Sequence, residues 1–89
     1  MEVQWSTLTY DDLERIFRRI EKDNPTAARE TVKAIYDGCA TLREFPQRGR
    51  PGRISGRREL IFDPYIAVYQ VKKRRVEISR IYHGAQNWP

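Results

Sequence analysis

Two stretches of helical periodicity meet at Asn24-Pro25, and that junction restricts the chain to folds built around a helical hairpin. Leu13, Ile16, Phe17 and Ile20 recur at i, i+3, i+4 and i+7, which lines them up on one side of a helix. Ala28, Val32, Ile35, Cys39 and Leu42 follow at alternating spacings of four and three and form a second apolar seam. Asn is a favoured N-cap, and Pro fits the first helical turn, where its missing N–H has no intrahelical partner. Asn24-Pro25 therefore ends one helix and opens the next. The spacing predicts a first helix over 10–22, N-capped by Thr9 with Asp12 three residues on, and a second over 25–43. Asp11, Asp12 and Glu14 then fall in a first helical turn, where they complement the helix dipole.

Such a hairpin must bury its seam against something else. Phe45-Pro46 stops the second helix, and the three glycines and the proline of 47–56 mark a loop. Beyond it, β-branched and aromatic enrichment predicts strands over 58–62, 65–71 and 76–82, with Asp63-Pro64 and the basic turn Lys72-Lys73-Arg74-Arg75 between them. Glu2-Val3-Gln4-Trp5 alternates polar and apolar and reads as a further short strand. The order is β-α-α-β-β-β, and one face of a small, mainly antiparallel sheet is the surface on offer to the hairpin. The fold class expected is α+β, in two layers, with 1–89 as one domain. Trp5, Tyr65 and Tyr69 alternate with apolar neighbours inside strands and read as packing residues.

Charge divides unevenly along this plan. Residues 1–47 hold seven basic and nine acidic side chains, net −2, whereas 48–89 hold ten basic and three acidic, net +7. An excess so localised points to an anion-binding surface. One cysteine excludes an internal disulfide, and one histidine beside it leaves no ligand set for a structural zinc. Cys39 lies on the buried seam and reads as core. The apolar runs are far shorter than the ~20 residues of a membrane span, and the N-terminus has no secretory pattern, so a cytoplasmic protein that does not engage membranes is expected.

Two segments could carry chemistry. Arg48, Arg50, Arg53, Arg57 and Arg58 fall within eleven residues that contain no acid. Arginine suits phosphate through its planar, permanently charged fork, so this stretch is either a solvated loop or a surface for nucleic acid or an acidic protein. Near the C-terminus, Arg80, Tyr82 and His83 bring a cation, a phenol and an imidazole within four residues. Cleaving RNA through its own 2′-hydroxyl needs a base, an acid and a cation for the phosphate, and these three could fill the roles. The alternative is that His83 bonds the backbone at the strand end while Tyr82 packs.

The whole chain resembles the toxins of the RelE/ParE superfamily of type II toxin–antitoxin systems. The resemblance rests on Asp12-Leu13-Glu14-Arg15-Ile16, Asn24-Pro25-Thr26-Ala27-Ala28, Leu42-Arg43-Glu44-Phe45-Pro46 and Gly49-Arg50-Pro51-Gly52. It continues through Arg58-Glu59-Leu60, Tyr65-Ile66-Ala67-Val68-Tyr69 and the ending from Arg80 to Pro89. It implies a growth-inhibiting toxin without a cofactor, neutralised in a hetero-oligomer by a cognate antitoxin. RelE-like members cut mRNA on the ribosome, and ParE-like members block DNA gyrase. Arg57, Arg58, Arg80 and His83 resemble parts of the ribonuclease set, with Arg57, Arg58 and Arg80 on phosphate and His83 or Tyr82 in proton transfer. At the middle-strand position where that branch carries a cation, this chain has Ile66. The difference inclines the reading towards gyrase inhibition, with the ribosome-dependent endoribonuclease as the alternative.

Overall fold

Ser6 sets the start of the first helix in the computed structural model, whose described residues are 1–88. Its backbone is extended, at φ −68° and ψ 159°, and its Oγ accepts from Thr9 N at 3.1 Å. Helix α1 therefore runs Thr7–Glu21, three residues earlier than the Thr9 cap implied, and Thr9 is turned into the interior. The second boundary is as expected: Asn24 caps α2 (Pro25–Ala40), its side chain accepting from Ala27 N at 3.0 Å. A turn of 3-10 helix, Thr41–Arg43, completes the stretch predicted as helix.

Strand β1 (Glu2–Trp5) precedes the helices, and β2 (Arg50–Pro51), β3 (Arg58–Phe62), β4 (Tyr65–Val71) and β5 (Arg75–His83) follow them. They form one sheet in the order β1-β5-β4-β3-β2, with β1 parallel to β5 and every other pair antiparallel. The minimal strand β2, inside the segment predicted to be loop, pairs Arg50 with Glu59.

Period-two alternation divides the central strand β4 between two cores. Tyr65, Ala67 and Tyr69 face the helices and pack with Ile35, Cys39, Leu42 and the inward residues of α1. Phe62 sits against Gly38 so closely that a Cβ there would lie 2.2 Å from its ring. Ile66 and Val68 point the other way, where Trp88 and Tyr82 cover them. The sheet is thus covered on both faces over β4, where only the helical face was expected to be.

The helices also complete the sheet's edge. Strand β1 reaches only as far as the Trp5–Ile78 pair, and beyond it β5 has no strand on its outer edge. Buried backbone groups without partners cost free energy, and α1 supplies the partners. Ser6 Oγ donates to Ser79 O at 2.9 Å and Ile81 N donates to Asp12 Oδ2 at 2.8 Å, while Ile78 O, which accepts from Ser6 N at 3.1 Å, takes a second bond from Thr9 Oγ1 at 2.9 Å. Asp12 is 1% exposed and also accepts from Arg80 Nε and Nη2 at 2.8 and 3.0 Å and from Arg15 Nη1 at 3.2 Å. This corrects the reading of Asp12 as a dipole complement: its position on the Thr9-Asp12-Ile16 side of the helix aims it at the sheet.

Asp12→Ala is expected to cost roughly 2–4 kcal/mol, because it leaves Ile81 N–H without an acceptor and Arg80 without its ion pair. A urea titration should show a lower midpoint at unchanged slope. Cys39 gives a second expectation. It is fully buried, and desolvation pushes its thiol from 9.0 up to about 12, against a small opposing effect of Arg48. Between these values the folded chain keeps a proton that the unfolded chain releases, so stability falls as pH rises through that window. Iodoacetamide at about pH 8.5 should leave Cys39 unmodified until denaturant is added.

Candidate partner-binding face

The acid-free arginine stretch is organised by Glu59, a β3 residue only 2% exposed. Arg50 Nε and Nη2 donate to its Oε1 at 3.0 and 2.9 Å, and Arg53 N donates to Oε2 at 2.9 Å. Burying a carboxylate is costly unless it is paired and hydrogen-bonded, and here the loop wraps round it to supply the donors. Arg58 donates to Gly49 O at 3.0 and 2.6 Å and to Gln47 O at 3.0 Å. Tyr69 Oη accepts from Gly49 N and donates to Pro46 O, both at 2.8 Å. A Cβ on Gly49 would lie 2.6 Å from that oxygen, so only glycine fits. Arg48 donates to Thr41 Oγ1 at 2.6 Å, and Arg57 to the Gln70 side chain.

Arg48, Arg50, Arg57 and Arg58 are therefore fastened to the fold through part of their guanidinium donors, and Arg53 through its backbone N–H, while their charge stays near the surface. Arg50 and Arg53 keep 55% and 46% of their side chains exposed. Arg53 lies with its guanidinium carbon 4.0 Å from the Trp88 ring centroid. Further along, Arg75 Nε donates to Glu77 Oε2 at 2.9 Å, and this bond holds the Glu77 carboxyl below its usual range.

The residues Arg80, Tyr82 and His83 do not converge. Tyr82 pairs with Ile66 and Arg80 with Val68, which puts both on the sheet face away from the helices. His83 pairs with Tyr65 and meets its ring edge-on at 5.4 Å, on the helical side. Arg80 is committed to Asp12, whose hydrogen bond raises its pKa above the ordinary arginine value. Tyr82 is stacked under Trp88 at 4.6 Å with 2° between the planes. His83 Nδ1 accepts from Ala85 N at 3.0 Å while the His83 backbone N–H donates to Gln86 Oε1 at 2.6 Å, an arrangement that closes the terminal turn. Among the described residues no group of three or more His, Cys, Asp or Glu side chains could hold a metal, and no helix is long and apolar enough to cross a membrane.

A sequence profile described as the ParE toxin of the type II toxin–antitoxin system parDE matches residues 3–88. The chain belongs to the ParE toxin family. It is 40% identical over 89 residues to a toxin of Sinorhizobium fredii named Y4kP, a match that spans 98% of this chain and 92% of that one. It is 31% identical over 85 residues to the toxin RelE2 of Caulobacter vibrioides, spanning 96% and 97% of the two chains. Among solved structures, a chain of the chromosomal ParDE system from P. aeruginosa superposes with a TM-score of 0.86 at 26% identity, over 93% of this chain and 95% of that one. A chain of the RelBE2 toxin–antitoxin complex from Mycobacterium tuberculosis shares the fold, with a TM-score of 0.69 over 96% and 92% of the two chains. This ParE-family protein is thus a toxin of a type II toxin–antitoxin system, from the RelE/ParE superfamily.

Three residues that shape this face were not singled out as site residues in the sequence: Glu59, Gln70 and Trp88. Glu59 had a legible signal, being the one acid between five arginines and an apolar strand. Glu59→Ala is expected to destabilise the toxin by about 2 kcal/mol, since it leaves Arg53 N–H and the Arg50 guanidinium without their acceptor. Limited trypsin digestion should then cut faster after Arg53 and Arg57, with Arg50 protected by Pro51.

Proposed function

We propose that this toxin acts without catalysis, by blocking DNA gyrase, and that a cognate antitoxin neutralises it by covering its basic half. The observation that carries the reading is the state of the sheet face opposite the helices. Ile66, Val68, Tyr82 and Trp88 make it an apolar cluster where a ribonuclease needs cations and proton carriers round a phosphate. General acid–base catalysis further requires its groups within hydrogen-bond reach of one substrate. Tyr82 and His83 lie on opposite faces, and Arg80 is held by Asp12. What supports an antitoxin partner is family membership, together with the solved relatives, which come from ParDE and RelBE2 toxin–antitoxin systems. The exposed edges of Arg50, Arg53 and Arg57 on the far face, with Arg48 and Arg58 on the helical side of the same sheet end, offer such a partner a positively charged surface, and a hetero-oligomer follows from that pairing.

The deciding experiment induces the toxin without antitoxin, then maps mRNA ends and assays gyrase supercoiling in the same cells. Lost supercoiling activity with intact mRNA is the expected result. Codon-phased cuts with normal supercoiling would replace this reading with the RelE-like ribonuclease, a function to which the name of the Caulobacter relative points. His83→Ala provides an independent check. Growth inhibition should be unchanged, whereas a histidine acting as acid or base would take ~10²–10⁴ of the rate with it.

A further inference from the structure

Trp88 fills a slot on the second face of the sheet whose walls are a cation and an aromatic ring. The Arg53 guanidinium lies 4.0 Å from its ring centroid, the Tyr82 ring stacks within 2° of parallel at 4.6 Å, and Ile66 and Val68 form the floor. The site suits a flat aromatic group. Trp88 itself fits it incompletely, because its residue is only 7% exposed and its Nε1–H is buried with no acceptor among the described residues. An N–H left without an acceptor opposes the closed position. The tail is also weakly tethered: its turn is held through His83, Gly84, Ala85 and Gln86, and among the described residues no hydrogen bond holds Asn87 or Trp88. Stacking and burial of the ring are what keep Trp88 in place.

We propose that the Arg53–Tyr82 slot is a docking site for an acidic protein segment carrying an aromatic side chain, which takes the place of Trp88. The inference rests on the reading of the chain as a toxin bound by an antitoxin, and it specifies how that partner engages the sheet. An incoming ring regains the cation–π and stacking contacts that Trp88 gives up. The segment's acids meet the exposed parts of Arg50 and Arg53, with Arg57 on neighbouring Gln70. Of the acids on this face, Glu59 is buried and already occupied by Arg50 and Arg53, and Glu77, opposite Gln70, is paired with Arg75, so little repels an acidic arrival. The aliphatic floor favours a protein side chain over a nucleobase, whose polar edge would lose water against Ile66 and Val68 without compensation.

The test uses the full chain and the antitoxin encoded beside its gene. In a Trp5→Phe background Trp88 is the sole tryptophan, and its quenching by acrylamide reports its exposure. Adding the antitoxin should raise quenching severalfold as the indole leaves the slot. Trp88→Ala should tighten antitoxin binding by about threefold to tenfold, because the competing ring no longer has to be displaced. Tyr82→Ala should weaken binding by about tenfold, through loss of the stacking wall. Binding with Trp88 still shielded, or weakened by Trp88→Ala, overturns the proposal and leaves the toxin–antitoxin pairing intact. A wild-type chain that does not bind the antitoxin overturns both. An oligo-dT or oligo-U strand that exposes Trp88 when the antitoxin does not overturns the choice of partner.

Discussion

Beyond Trp5, strand β5 has no neighbour on its outer edge, and the buried carboxylate of Asp12 stands in for one. Together with the Ser6 hydroxyl it answers Ser79 O and Ile81 N, while Ile78 O accepts from both Ser6 N and Thr9 Oγ1. The same contact fixes how the helical hairpin lies on the sheet, because the first turns of α1 must stay within hydrogen-bond distance of Ile78, Ser79 and Ile81. It also removes Arg80 from the pool of free cations. A register shift at Val68/Tyr69 places Arg80 opposite Val68, on the far face, from which its guanidinium reaches Asp12. A side chain that could have met phosphate is thereby committed to the fold.

Glu59 plays the equivalent part at the other edge. A short loop rich in arginine and glycine has little apolar surface with which to order itself, and a buried carboxylate gives it a centre. The charge of the second half therefore has two uses: some of the guanidinium donors hold the loop together, and the rest remain near the surface for a partner. The apolar cluster on the same face makes it suited to gripping a protein and ill suited to acid–base chemistry.

Much of the architecture was legible because it depends on neighbours in sequence. The strands at 58–62 and 65–71 follow from side-chain type and from the Asp63-Pro64 break, and Asn24-Pro25 marks the hairpin through capping alone. The first helix start was misplaced because Thr9 and Asp12 have the form of a capping box, while their side chains are used by β5. The site was less legible. Arg80, Tyr82 and His83 are close in sequence, but strand alternation sends Tyr82 and His83 to opposite faces. The role of Trp88 depends on Arg53 and Tyr82, which reach it from a distant loop and the neighbouring strand.

By itself the sequence determined the order of elements, the two-layer class and the concentration of positive charge after Gln47, since periodicity, capping and composition act over a few residues. Tertiary structure alone decided which charges are spent on the fold, which face is apolar and what covers it. The physical reason is that a buried polar group takes the partner that folding brings to it, and for Asp12 that partner lies 68 residues away.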